Sequence, residues 1–292
     1  MATLFDTYVI IDWSAANTPR FGKDSIWICE VLNLDPKLCD QSPLNIGTRS
    51  EAMNWLTAFL RTQIRSGRKA FVGFDFPFGF PAGVASKIAG NAKWDALWAF
   101  LHDGIRDDID GKPNRSNRYE FANTLNRDVF GEPVFWGRPY QHSYSHLPAK
   151  KDPSKFRAAM EFRITEKRFR PAKPVWQLAY NGAVGSQALL GIARLEALRR
   201  QFNSCLAIWP FETSFAENLS APIIIAEIYP SLLDVQPDDG EVKDRAQVRL
   251  LARRFAELDA SGELLNRMSR PREVGADDHN RILLEEGWIV SP

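Results

Sequence analysis

The chain is poor in cysteine and has no long apolar run. Its 292 residues include three cysteines, Cys29, Cys39 and Cys205, which have neither the paired spacing of a zinc site nor the even number of a disulfide framework. No run approaches the roughly 18 apolar residues of a membrane helix. The first residues, MATLFDTYVIIDW, carry acids and no basic segment, unlike a secretory signal. We therefore expect a cytoplasmic protein with no membrane partner.

The chain also lacks an overall excess of charge. It has 37 basic and 36 acidic residues, a formal net charge of +1, so no global field favours a polyanionic partner. Residues 150–173 are the exception, with nine Lys or Arg and only three acids. This basic segment predicts phosphate contacts. A solvated helix face with local ion pairs is an equally good interpretation.

Apolar runs bounded by turn residues predict a sheet. Residues 8–11 and 25–32 are predicted strands that form an antiparallel hairpin. A helix is predicted over 49–66, with Ser50 as its N-cap, and a strand over 71–75. This strand–helix–strand order predicts a parallel pairing. Further strands are predicted at 205–213 and 221–230, and further helices at 84–104, 117–130, 155–169, 185–202 and in the C-terminal region.

These elements predict an α/β fold with a mixed sheet flanked by helices. The chain has no internal repeat and no low-complexity tract. We expect one domain over residues 1–292, with a mainly helical and loop-rich insertion at about 82–183. Ligands bind at the carboxyl ends of the strands in open sheets of this class.

Three acids lie at or near the carboxyl ends of predicted strands, namely Asp12, Asp75 and Glu227. An unpaired carboxylate after an apolar strand is costly to desolvate, so it must be exposed, paired or bound to a metal. A single acid of this kind is most simply an exposed strand end or a turn cap. Three together predict a shared site for Mg²⁺ or Mn²⁺, which prefer oxygen ligands.

The same pieces resemble the ribonuclease H fold, and most of all the family called domain of unknown function 429, whose members are predicted RNase H-like nucleases. The matching segments are VIIDWS, GFDFPFGFP, FRITEKRFRPAK, AEIYP and EEGWIVSP. The resemblance implies an RNase H-like mixed sheet and implies that Asp12, Asp75 and Glu227 are catalytic metal ligands. It also implies a fourth acid on a C-terminal helix. For that position Asp244 is the first choice, and Asp277 or Asp278 the second.

The resemblance extends to the basic segment. Arg163 and Glu166 match an Arg-x-x-Glu element of the family, which implies a place near the site. With Lys167 and Arg170 they form our predicted substrate-binding set, since basic side chains position phosphates.

Two functions remain open at this point. The first is a metal-dependent phosphodiester hydrolase acting on nucleic acid or nucleotides, in which a pair of ions supports the cleavage. The second is a non-catalytic nucleotide or small-molecule binding protein that keeps the fold. Aromatic residues of the insertion, Trp136, Tyr140 and Tyr144, could stack on bases, but packing of the insertion against the core explains them equally simply.

Overall fold

The computed structural model describes residues 3–32, 42–154, 160–169 and 172–292. The strands in these ranges are β1 (Thr7–Asp12), β2 (Ile26–Leu32), β3 (Leu44–Ile46), β4 (Ala70–Phe74), β5 (Leu206–Trp209), β6 (Ile223–Ile228) and β7 (Ile289–Val290). The α-helices in these ranges are α1 (Arg49–Arg65), α2 (Val84–Ala89), α3 (Trp94–Gly104), α4 (Arg118–Leu125), α5 (Ile164–Arg168), α6 (Gly185–Phe202), α7 (Lys243–Ala260), α8 (Glu263–Met268) and α9 (Ala276–Arg281). The predicted α/β class with a mixed sheet and flanking helices is confirmed.

The sheet has the strand order β3-β2-β1-β4-β6-β5. Strand β1 pairs antiparallel with β2 and parallel with β4, which confirms the predicted hairpin and the predicted crossover through α1. Strand β6 lies between β4 and β5 and is parallel to both. The short β7 also pairs with β6, opposite Glu227 and Ile228. The carboxyl ends of β1, β4 and β6 therefore lie at one edge of the sheet.

Each face of the sheet has its own hydrophobic core, because side chains alternate along a strand. Val9 and Ile225 belong to the face covered by α1, α3 and α6, which we call the α1 face. Ile10 and Ile224 belong to the face covered by α7, which we call the α7 face. Burial on both faces matches the continuously apolar sequences of these strands. Within the described ranges, no helix is long and apolar enough to cross a membrane.

Helix boundaries agree with the prediction in some places and differ in others. Helix α1 is confirmed, but its N-cap is Thr48 rather than Ser50, since Thr48 Oγ1 accepts a hydrogen bond from Glu51 N at 3.1 Å. Helix α6 is confirmed over its whole length. The predicted helix at 84–104 is two helices, because Gly90 takes a left-handed conformation at φ +69° and ends α2.

Other differences have local causes. The predicted helix over 155–169 is confirmed only at α5: residues 161–163 are not helical, and residues 155–159 lie outside the described part of the chain. Strands β3 and β7 are not predicted, because they have three and two residues, too few for a periodic pattern. Of the cysteines, Cys29 is buried and Cys205 partly buried, while Cys39 lies outside the described residues.

The turn after β4 is packed tightly against the C-terminal region. Phe76, Phe78 and Phe80 are at most 1% exposed and belong to the core of the α1 face. A Cβ atom on Gly79 would lie 2.3 Å from the carbonyl oxygen of Glu285, so only glycine permits this approach. The rigid turn thereby places Asp75 at the sheet edge and joins that edge to the helical turn Ile282–Glu286 that follows α9.

Candidate functional site

A cavity of about 410 Å³ opens where β1 and β4 end. This volume falls within the range of small-molecule sites, about 300 to 1,000 Å³. Its charged lining side chains are Asp12, Asp24, Asp75, Asp244, Arg20 and Arg118. Four acids against two bases make it an acidic cavity, which we call the aspartate cavity.

Strand register explains why Asp12 and Asp75 meet. Ile11 is in register with Phe74 across the parallel β1–β4 ladder, so the next residue of each chain segment is an aspartate at the same edge. Side-chain alternation directs both aspartates to the α7 face. Helix α7 packs on that face, and its first turn carries Asp244 to the same cavity.

Backbone donors hold these carboxylates in place. The Trp13 N–H donates to Asp75 Oδ1 at 2.7 Å, and the Asp24 N–H donates to Asp244 Oδ2 at 2.7 Å. The Asp12 and Asp75 carboxyl groups are close enough for each to influence the pKa of the other.

The electrostatics of this pair are unfavourable for full ionisation. Burial, followed by the charges of Asp75 and Asp244, raises the pKa of Asp12 well above its usual value. Burial also raises the pKa of Asp75, to about 6, against the opposing hydrogen bond from the Trp13 N–H. Both groups are only partly buried and keep contact with the cavity. Because both pKa values are raised, protons and a cation would compete for these carboxyl groups.

Arg118 lies on another wall of the cavity and is 4% exposed. Its Nε donates to Ser186 Oγ at 2.9 Å, and its guanidinium carbon lies 4.4 Å from the centre of the Tyr119 ring. Arg20, in contrast, is half exposed at the rim and lies 3.4 Å from the Asp24 carboxylate. The cavity thus places one buried guanidinium together with a group of aspartates.

Glu227 does not join the aspartates. It is in register with Phe74 rather than with Asp75, so alternation turns its side chain to the α1 face. There Arg163 donates to both of its carboxylate oxygens, at 2.6 and 2.8 Å. The Phe78 N–H adds a third bond at 2.9 Å. Glu227 is 3% exposed and its oxygens are engaged, so this placement does not support the predicted role as a metal ligand.

Arg163 is the centre of a buried network that holds the C-terminal segment. Its Nε donates to Glu166 at 2.8 Å and its Nη1 to the Glu286 carbonyl oxygen at 2.8 Å. Burial opposes the charge of Arg163, but the attraction of Glu227 and Glu166 outweighs it and raises the arginine pKa. The Glu286 carboxylate accepts a bond from Arg281 at 2.9 Å. We call Arg163, Glu166, Glu227, Glu286 and Arg281 the arginine network.

The predicted substrate-binding set is not at the cavity. Arg163 and Glu166 are inside the arginine network, Lys167 is exposed on α5, and Arg170 lies outside the described residues. No described residue between 150 and 173 lines the aspartate cavity. The second-choice acids, Asp277 and Asp278, lie on α9 and do not line it either.

Sequence reasoning missed Asp24, Arg118 and Tyr180, all of which line the cavity. A signal existed for Asp24, because the loop of a hairpin returns to the end of its first strand, here the Asp12 end. No signal existed for Arg118 or Tyr180, because both belong to the long segment between β4 and α6, whose position depends on tertiary packing.

The carboxylates of the aspartate cavity are of the type that binds a hard cation, but they are not already arranged around one point. Carboxylate oxygens are the ligands that Mg²⁺ and Mn²⁺ prefer, and the charges of Asp75 and Asp244 add to burial in raising the pKa of Asp12. Within the described residues, however, no three His, Cys, Asp or Glu side chains are arranged so that they could hold a metal ion. Binding would therefore require the aspartate side chains to rotate toward one another.

The chain matches no protein-family model, and comparisons with curated proteins and with solved structures returned no match. The RNase H-like resemblance of the sequence motifs thus stays a prediction.

Proposed function

We propose that the protein is a divalent-metal-dependent phosphodiester hydrolase of RNase H-like fold, with its ion site in the aspartate cavity. The observation that carries this proposal is the meeting of Asp12, Asp75 and Asp244 at one cavity where two parallel strands end. Glu227 is left out of the ligand set, because its carboxylate is bound by Arg163.

The strand connections support the fold part of the proposal. An antiparallel hairpin followed by a helical crossover to a parallel strand is the arrangement that the sequence resemblance implies, and β1, β2, α1 and β4 have it. The ligand-bearing strands β1 and β4 are neighbours in the sheet. Two of the aspartates thereby come from the rigid sheet and the third from a helix packed upon it.

The proposed roles follow from the charges of the cavity. Asp12, Asp75 and Asp244 would hold Mg²⁺ or Mn²⁺, which supplies Lewis-acid stabilisation of the charge that develops on phosphoryl oxygens. Because the pKa values of Asp12 and Asp75 are raised, protons would compete with the ion for these carboxylates, so metal affinity should rise with pH. The Trp13 N–H holds the Asp75 carboxylate at the sheet edge.

Calorimetric titration with Mn²⁺ tests this assignment. We expect wild type to bind the ion and Asp75→Asn to bind at least about tenfold more weakly, which corresponds to about 1.4 kcal/mol. Asp277→Asn is the matched control, since it removes the same charge from an exposed helix position that does not line the cavity. Wild type and Asp277→Asn should cleave structured DNA or RNA at similar rates, and Asp75→Asn should cleave more slowly.

Equal Mn²⁺ affinity in wild type and Asp75→Asn would contradict the ion site. Stabilisation by nucleotides without any dependence on metal, and without cleavage, would instead favour the non-catalytic binding protein. Thermal unfolding with and without Mn²⁺ separates these two outcomes.

A further inference from the structure

The charge of Arg118 has no counterpart in the described part of the chain. Four of its five N–H groups donate to neutral oxygens, those of Ser186, Asn17, Ser116 and Tyr119. No carboxylate among the described residues pairs with it, and burial lowers its pKa. A buried cation without a counter-ion is costly, and one N–H remains available for a ligand.

Arg49 is a second buried arginine in the same region, and its charge is balanced by a carboxylate. Its Nε and Nη2 donate to the two Asp107 oxygens at 2.7 Å each. Arg194 binds Asp107 as well, at 3.0 Å. The charge of Asp107 also acts on Arg118 and opposes the lowering of its pKa, but the Asp107 oxygens are bound to Arg49 and Arg194. Arg118 therefore lacks the carboxylate partner that Arg49 has, and an anion bound in the cavity could balance its charge.

An exposed aromatic pair lies at the rim of the same cavity. Tyr180 lines the cavity and is 50% exposed, and Tyr140 is 63% exposed. Their ring centres are 5.3 Å apart, and the Tyr140 N–H donates to the Tyr180 hydroxyl at 3.0 Å. Exposed tyrosines held in this way suit stacking on a nucleobase, whose flat face needs no hydrogen-bond code.

We propose that Arg118 and Tyr180 form the recognition wall of the cavity, and that the substrate is a nucleotide or a single-stranded nucleic acid end. Arg118 binds a non-bridging phosphate oxygen, and Tyr180 stacks on the base. The inference rests on the proposed function in that it assigns the same cavity to a phosphoester. The inference adds the substrate class and the residues that recognise the substrate. It assigns phosphate binding to Arg118 and not to the basic segment 150–173.

The probes are adenosine 5′-monophosphate and adenosine, titrated separately in EDTA so that metal binding plays no part. Wild type should bind the monophosphate more tightly than the nucleoside. Arg118→Gln should weaken monophosphate binding about 10- to 100-fold and leave adenosine binding nearly unchanged. Arg118→Lys keeps the charge and should restore part of the difference. Tyr180→Ala should weaken both ligands about tenfold.

Arg20→Gln is the control, because it removes a cavity charge that is half exposed and already paired with Asp24. It should keep the preference for the monophosphate. Crystals of wild type soaked in tungstate provide a measurement that does not depend on the folding of a variant, and the anion should lie beside the Arg118 guanidinium. Tungstate located elsewhere, or an unchanged preference in Arg118→Gln, would overturn the inference.

Failure of the proposed function has a different signature. If Mn²⁺ binding does not depend on Asp75 but the Arg118 results hold, the recognition wall stands and the metal-dependent hydrolase does not. If Mn²⁺ binding depends on Asp75 while wild type binds the two adenosine probes alike, the recognition wall is wrong and the metal site stands.

Discussion

Two groups of carboxylates lie near the same edge of the sheet, one on each face, and they differ in how their charge is balanced. In the arginine network on the α1 face, Arg163 binds Glu227 and Glu166 within 2.8 Å, and all three are at most 3% exposed. In the aspartate cavity, Asp12 and Asp75 turn to the α7 face, have no arginine partner among the described residues, and have raised pKa values.

The difference indicates different roles for residues that are chemically alike. A buried carboxylate with an arginine and backbone donors on its oxygens contributes to the fold, and removing its partner leaves an uncompensated charge. A carboxylate group that stays unbalanced beside an open cavity costs stability. Groups of that kind concentrate at functional sites.

Arg163→Met should have the largest effect. It leaves Glu227 and Glu166 buried without their cation, and the free energy of unfolding should fall by about 3 to 5 kcal/mol. Urea denaturation measures this loss. The control is Lys167→Met, which removes an exposed cation four positions along and should change stability by less than about 0.5 kcal/mol. Equal effects of the two substitutions would show that the network does not hold the fold.

Glu227→Gln should have a smaller but still clear effect. Glutamine keeps an acceptor for Arg163 or for the Phe78 N–H but loses the charge, so we expect a loss of about 2 to 3 kcal/mol. Mn²⁺ affinity of the folded variant should equal that of wild type. A loss of Mn²⁺ binding at preserved stability would return Glu227 to the ligand set that the sequence predicted.

Asp75→Asn should stabilise the protein, with the smallest magnitude of the three. Because the pKa of Asp75 is raised from 3.8 to about 6, the folded state keeps a proton that the unfolded chain has lost. The stability of wild type therefore falls as pH rises through this window and stays lower at neutral pH. We expect the free energy of unfolding of the variant to exceed that of wild type by about 1 to 2 kcal/mol at neutral pH. This is less than the pKa shift alone would give, because the Asp75 carboxyl keeps contact with the solvent-accessible cavity.

The measurement is urea denaturation of both proteins at about pH 4 and about pH 7.5. The advantage of Asp75→Asn should be present at the higher pH and largely absent at the lower one. Added Mn²⁺ should reduce it by stabilising wild type alone. A variant that is less stable than wild type at neutral pH would show that the Asp75 charge is balanced, contrary to the contrast drawn above.

Local patterns were sufficient for much of the fold. The apolar runs at β1, β4 and β6 and the spacing of α1 and α6 are properties of short stretches, and each of these elements lies where it is predicted. Thr48 rather than Ser50 caps α1, because the N-cap is the last residue with an extended backbone, and the sequence offers two hydroxyl residues, two positions apart, that suit this role equally well. The recognition residues Arg118 and Tyr180 could not be predicted, since only packing of residues 82–183 places them at the cavity.

The residue pattern alone predicts an acid at the end of β1, another directly after β4, and a turn rich in proline and glycine after Asp75. It also predicts Glu227 near the end of β6. Which of these acids share a site depends on how the strands pair and pack. The run from Ile223 to Ala226 is apolar on both faces, so its pattern carries no information about which face Glu227 takes. The register of β6 against β4 sets that face and places Glu227 against Arg163, whereas the register of β1 against β4 turns Asp12 and Asp75 to the opposite face.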